Sequence, residues 1–508
     1  MSHLPEAVAS RGDSEAHGRV LRNVTVNIAA YAVPTLVALV AIKYAVAGLG
    51  RERFGVLALI WSVLSYFSFF DLGVGRAITQ RLPALLESKD IEGVRGLVGT
   101  AMALLVILGV SAGALLGLLA PWLANHVVSI PAGLRAEALG AFRVLALTVP
   151  LLIVAAGLRS TLEGAERFGL ANLVRLPQSV LVFVFPALAP LFSWDLVAIT
   201  WASLVTVVLA GIAYAVLILA AIPAARRIRI DPSVVSGLAG YGGWMTAAQL
   251  IWSFMLQLDR FAIGFLLGTA FVAYYAAPYE MISRAWILSS ALIALLPAVA
   301  RLGFDRPAAI ADLAVWSVRQ VLLVAGLPLL FIAAFSGTLL KVWLGPDFAQ
   351  HSAAALSLLA VALLLSVQAS VPDLVIKGLG RPRTVALIHA GLIGPYFLAL
   401  IFLIPRFGIT GAAMAWAARA VVESALLSLA AVAIVPAMRR FIYDPALKRI
   451  ALFLVVYAAL LAAVALALPS APAIAVASAI VLAAVGAAWQ WLLSATERLQ
   501  LKRLMRFA

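Results

Sequence analysis

The stretch "RERFGVLALIWSVLSYFSFFDLGVGRAITQRLPALL", residues 51–86, decides the fold class. Between Phe54 and Phe70 only Gly55, Ser62, Ser65 and Ser68 interrupt the apolar and aromatic residues. A run of about 20 such residues is long enough to cross the hydrocarbon of a bilayer as a helix. The run ends on Asp71, Gly73 and Gly75. A carboxylate facing lipid there would cost on the order of 3 kcal/mol. Asp71 is therefore expected to face protein, and the two glycines to mark a weak point in the helix.

The rest of the chain is built the same way. Of 508 residues, 64% are hydrophobic and 12% charged, with a mean hydropathy of +1.08. Soluble chains are about 45–50% apolar and about 25% charged, so too few charges are present to cover a water-exposed surface. This is an all-α polytopic membrane protein. It has no cysteine, which excludes disulfides and thiolate chemistry. The histidines His3, His17, His126, His351 and His389 are isolated in sequence, read as loop or interface residues, and offer no metal-ligand spacing. Residues 1–23 are polar and charged, so no cleavable leader is expected. The net charge of +15 is spread over short loops, which suits anionic lipid headgroups and not nucleic acid.

Fourteen apolar segments lie between residues 24 and 495. With both termini in the cytoplasm, the long hydrophobic stretches leave only Lys43, Arg51, Arg53, Arg135, Arg143, Lys341 and Arg406 of the 37 basic residues in external connections. Four more, Arg260, Arg284, Arg319 and Arg419, fall within spans, and the remainder are cytoplasmic, as the positive-inside rule requires. The halves echo one another at an offset near 215: "LEGAERFG" (162–169) aligns with "IKGLGRPR" (376–383). The expected organisation is a cytoplasmic segment 1–23, an N-lobe of six helices (24–222), a basic linker (223–238), a C-lobe of six helices (239–436), two further helices (445–495) and a basic tail (496–508). An even-numbered repeat gives the lobes a pseudo-two-fold axis along the membrane normal.

These features resemble the polysaccharide flippase branch of the multidrug/oligosaccharidyl-lipid/polysaccharide (MOP) exporter superfamily. The resemblance covers roughly residues 20–440. It is carried by residues 51–86, "QLDRFAIGFLLGTAFVAYYAAPYEM" (257–281), "LEGAERFGLANLVR" (162–175) and "PRFGITGAAMAWAARA" (405–420). Phe54-Gly55 departs from the commoner Tyr-Gly. The resemblance implies a flippase, not an enzyme. It would carry polyprenyl-pyrophosphate-linked oligosaccharide from the cytoplasmic to the outer leaflet by alternating access, as O-antigen lipopolysaccharide biosynthesis needs. It implies an inner (plasma) membrane location, H+ or Na+ as candidate coupling ion with no other cofactor, and glycan polymerase machinery as a candidate partner. The alternatives are a drug/cation antiporter of the same superfamily and a membrane glycosyltransferase or polymerase. The short external connections disfavour the enzyme.

The candidate site residues are the polar groups that a lipid-facing position forbids. Arg260, Arg284 and Arg419 offer planar donor forks suited to a pyrophosphate. Asn27 and Tyr31 recur along span 1 before Pro34, a polar stripe leading to a proline that suggests a cavity-facing, bendable helix. Gln249 and Gln257 stand eight apart on span 7, and amides and rings suit sugars. Asp71, Gly73, Gly75, Asp259, Glu280 and Glu423 are the coupling or gating candidates. Glu280 with Arg284, and Arg419 with Glu423, are spaced as i,i+4 ion pairs, and the only acid expected near Arg260 is Asp259. The same pairs also read as internal locks between helices.

Overall fold

The computed structural model describes residues 5–67, 73–227, 229–231, 241–283, 292, 295–468 and 470–492, with side chains from residue 33 onward at most positions. Among them every regular element is helical. In chain order these are α1 (Pro5–Phe67), α2 (Val74–Glu87), α3 (Ile91–Trp122), α4 (Arg135–Gly164), α5 (Phe168–Leu188), α6 (Leu196–Ala221), α7 (Tyr241–Leu266) and α8 (Thr269–Ser283). There follow α9 (Leu295–Leu302), α10 (Pro307–Ala334), α11 (Ser336–Trp343), α12 (Pro346–Gly378), α13 (Pro382–Ile434), α14 (Arg439–Tyr443), α15 (Pro445–Ala467) and α16 (Ser470–Ala487). Ten helical segments among the described residues are long and apolar enough to cross a membrane. Large apolar side chains such as Leu118, Leu466 and Leu482 are fully presented on the surface. The chain is a multi-pass membrane protein.

One of those helices supplies two crossings. A straight helix of 53 residues, the length of α13, would extend about 80 Å, and His389 and Glu423 on it would stand about 51 Å apart. They are 3.2 Å apart. The chain therefore folds back, and it does so at Gly408, whose φ of 59° and ψ of −143° lie in a region essentially reserved for glycine. A Cβ at Gly411 would lie 2.2 Å from the carbonyl oxygen of Leu403, so the arms diverge too closely for any other residue. This reversal separates the two apolar segments that the sequence shows on either side of Pro405.

The internal echo has a backbone counterpart. After α4, the N–H of Arg167 donates to the carbonyl of Leu162 at 2.9 Å; after α12, Arg381 N–H donates to Ile376 O at 3.1 Å. Between them Glu166 and Gly380 both have positive φ, 58° and 77°. Gly164 packs on the backbone of α2 at Ile78, and Gly378 on the backbone of α9 at Leu296.

Contacts divide the chain into two compact units, Met1–Ser253 and Phe254–Ala508. In the first, α3 packs on α4 and α4 on α6. The α3–α4 contact is close because Gly109 and Gly113 face Pro150 and Ala146; a Cβ at Gly113 would meet Ala146 O at 2.5 Å. Small residues of this kind let helix backbones approach where lipid gives no hydrophobic drive. Glu137, at the start of α4, accepts from Arg53 Nε at 3.1 Å and from the N–H of Leu196 at 2.8 Å, joining the starts of α4 and α6 to α1 just past its kink at Gly50. In the second unit α12 and α13 share the largest interface, and α15 and α16 pack on α10 through Leu327, Leu454, Tyr457 and Ala477.

One expectation changes here. Residues 54–86 do not form one helix: α2 begins at Val74, directly after Gly73 in the left-handed region (φ 81°). Only a residue without a Cβ enters that region freely. Gly75 lies inside α2 and is buried. Pro34 stands inside α1.

Candidate functional site

Charge is distributed unevenly over the interior. Among the described residues, the buried carboxylate, guanidinium and imidazole side chains Asp259, Arg260, His389, Arg419 and Glu423 all belong to the second unit. The buried polar side chains described in the first unit are serines, threonines and Tyr214. Most of these hydroxyls turn back onto their own helix, as Thr148 does to Val144 O and Thr161 to Gly157 O.

The ionisable groups of the second unit form a chain of contacts. Asp259 on α7 is 1% exposed. Its Oδ1 accepts the N–H of Arg260 at 2.8 Å and its Oδ2 the hydroxyl of Tyr275, on α8, at 2.6 Å. The Arg260 guanidinium donates to Gln257 Oε1 at 2.6 Å, lies 3.7 Å from Glu280 Oε1 and sits over the Tyr279 ring at 4.7 Å. Tyr279 meets Trp416 of α13 edge-on at 5.9 Å. One turn on, Arg419 lies 5.4 Å from the Tyr396 ring and 5.7 Å from Trp416, and donates to Glu423 Oε2 at 2.6 Å. His389 Nε2 approaches the other carboxylate oxygen at 3.2 Å.

This arrangement solves a solvation problem. A bare ion in an apolar interior is prohibitively costly, and only pairing with good hydrogen bonds offsets that cost. Each guanidinium here has a carboxylate within 4 Å and an aromatic face beside it, which suits a weakly hydrated planar cation. Some capacity is unused. Tyr396 OH, Trp416 Nε1, Arg419 Nε and His389 Nδ1 are buried with no hydrogen-bond partner among the described residues.

Of the residues the sequence singles out, the structure brings together Gln257, Asp259, Arg260, Glu280, Arg419 and Glu423. Gln249 stands two turns before Gln257 on α7 and is half-buried. Arg319 donates to the carbonyl of Leu492 at 2.7 Å. Asp71 and Arg284, and the side chains of Asn27 and Tyr31, lie outside the described residues. Two sequence readings are corrected. Asp259 is not the only acid near Arg260, because α8 carries Glu280 across to it. His389 is not a loop or interface histidine; it is 3% exposed, against Glu423. Its available signal was its place in the apolar run "TVALIHAGLIG" (384–394). No group of three or more His, Cys, Asp or Glu side chains among the described residues could hold a metal ion.

Residues 20–303 match the family model described as polysaccharide biosynthesis protein. The chain belongs to that family. Another protein similar to this polysaccharide biosynthesis family member is a putative O-antigen transporter of Shigella flexneri, 28% identical over 424 residues, which are 80% of this chain and 96% of the relative. Among solved structures, the fold resembles an inward-facing multidrug resistance MATE transporter of the MOP superfamily (TM-score 0.69, 14% identity, covering 81% of this chain and 99% of that one). It also resembles the lipid II flippase MurJ in an inward closed conformation (TM-score 0.68, 10% identity, 92% and 99%). At these identities the likeness speaks for the fold of the polysaccharide biosynthesis protein.

Proposed function

We propose that this protein is a flippase that moves a polyprenyl-pyrophosphate-linked oligosaccharide from the cytoplasmic to the outer leaflet of the inner membrane, with both termini cytoplasmic. The observation that carries the reading is the similarity to the putative O-antigen transporter, which extends over 96% of that relative. The family match and the all-helical MOP-type fold support the same reading, and none of these relatives is described as an enzyme.

The arginines suit the substrate's charge, because a pyrophosphate offers paired acceptor oxygens to a donor fork. In the structure Arg260 and Arg419 are engaged inside the second unit. Either becomes a substrate contact only when a transport step exposes it. Arg284, Asn27, Tyr31, Gln249 and Gln257 remain the further candidates for pyrophosphate and sugar contacts. Asp71, Asp259, Glu280 and Glu423 are the acidic candidates for coupling to H+ or Na+, and Gly73 and Gly75 the candidates for gating. Anionic lipids and a glycan polymerase are the proposed neighbours.

The test is reconstitution into proteoliposomes with fluorescent lipid-linked oligosaccharide, reading protection of the label from an impermeant quencher. Purified protein should accelerate transbilayer movement, and Arg260→Ala should slow it at equal protein level. Efflux of a cationic dye with no movement of the lipid-linked sugar would reject the flippase in favour of a drug/cation antiporter.

A further inference from the structure

Glu423 is held from both sides. One carboxylate oxygen accepts from Arg419 at 2.6 Å and the other lies 3.2 Å from His389 Nε2. The three residues are 3–5% exposed. Arg419 keeps its proton at any accessible pH. The charge of the trio can therefore change only at the imidazole or the carboxylate. With the extra proton the trio carries one net positive charge, and without it none. The 3.2 Å separation leaves room for one proton between the imidazole nitrogen and the carboxylate oxygen. Nδ1 has no hydrogen-bond partner among the described residues and Nε2 has only the 3.2 Å contact with Glu423, so no other group fixes a tautomer.

The surrounding charged groups are few. From α12, Lys377 acts on Glu423, and Lys377 is itself paired with Asp373 at 2.7 Å. On α13 itself stand Arg419 and Tyr396. Asp259 and Arg260 of α7 and Tyr275 and Tyr279 of α8 reach this region electrostatically through Tyr396. His389 lies on the first arm of the α13 hairpin and Glu423 on the second, so the same contact ties the arms together.

We propose that His389 and Glu423 form a proton-binding site inside the second unit, holding one exchangeable proton between imidazole and carboxylate. The proton comes from water and returns to water; no bond between heavier atoms changes. A bound proton strengthens the tie between the arms of α13 and its release loosens it, which makes proton exchange a means of altering this hairpin. Its use in transport rests on the flippase reading; its existence does not.

The experiment is a pH titration of full-length protein in nanodiscs carrying 13C-labelled histidine. The chain has five histidines, so the His389 signal is identified as the one lost in His389→Gln. The expected result is a His389 signal that titrates between about pH 5 and 8, with a midpoint that moves by a pH unit or more in Glu423→Gln. A flat signal over that range, or the same midpoint in Glu423→Gln, overturns the site. Glu423→Gln is read on the native histidine, so misfolding of His389→Gln does not remove the test. In proteoliposomes, wild-type flipping should respond to a pH gradient and His389→Gln should lose that response. A wild type without the response, or a variant that keeps it, overturns the link to transport. A wild type that moves no lipid-linked sugar refutes the flippase reading, and the titration then decides the proton site alone.

Discussion

Tyr275→Phe isolates one hydrogen bond of the buried network. The substitution keeps the ring, which runs nearly parallel to Tyr279 at 6.5 Å, and removes only the hydroxyl that donates to Asp259 Oδ2 at 2.6 Å. Asp259 is 1% exposed, so water does not replace the lost donor, and Oδ2 is left without a partner among the described residues. Hydrogen bonds to charged groups contribute about 1.5–3 kcal/mol. Side-chain hydrogen bonds between membrane helices average about 0.6 kcal/mol with a maximum near 1.7. The ionic acceptor and complete burial place this bond at the upper end, about 2 kcal/mol, which is roughly a 30-fold change in the folding equilibrium. Asp259→Asn keeps the shape and removes the charge. Combined with Tyr275→Phe it should cost less than the two separately, by about 1–2 kcal/mol. Reversible unfolding in bicelles measures all three variants against wild type. Additivity within about 0.5 kcal/mol would show that the two side chains do not interact and would remove Asp259 from the network.

Gly408→Ala should destabilise the protein by about 1–3 kcal/mol, because a Cβ is strained at φ 59°, ψ −143°. Gly394→Ala, in open space on the same helix, should lose nothing, and thermal unfolding in detergent compares the two. Gly113→Leu should sharply lower the yield of folded protein on size-exclusion chromatography, since its side chain meets Ala146 O and Pro150; Gly211→Leu, with nothing nearby, should leave the yield unchanged. Glu137→Gln should cost under about 1 kcal/mol in unfolding measurements, because the Arg53 side chain is 44% exposed and an amide oxygen can still accept from Leu196 N–H.

The membrane class of the fold was legible in the hydropathy of residues 51–86 and of the whole chain, because lipid demands apolar surface along each crossing. The reversal at Gly408 was legible too, since a proline and a glycine fall between two apolar segments of spanning length. The break at Gly73 was legible only as two glycines; which one takes the left-handed conformation depends on the helix that follows. At the site, Arg419 with Glu423 was readable because four residues along a helix bring side chains together. Glu280 beside Arg260 and His389 beside Glu423 were not. Those pairs form between separate helices or between arms 34 residues apart, and their meeting is fixed by packing that no local spacing encodes.

The twin turns after α4 and α12 share their backbone hydrogen bonds, yet among the described residues the buried carboxylate, guanidinium and imidazole side chains all lie in the second unit. The two units therefore tolerate variation under different rules. The interior of the first is constrained by volume, so an exchange of similar size and polarity, such as Thr for Ser, should pass. The interior of the second is constrained by charge balance as well. There an isosteric exchange such as Glu for Gln changes the sum of a closed set of charges and is felt along its length. A saturation-mutagenesis map of the chain should show two textures, one graded by side-chain size and the other by ionisation.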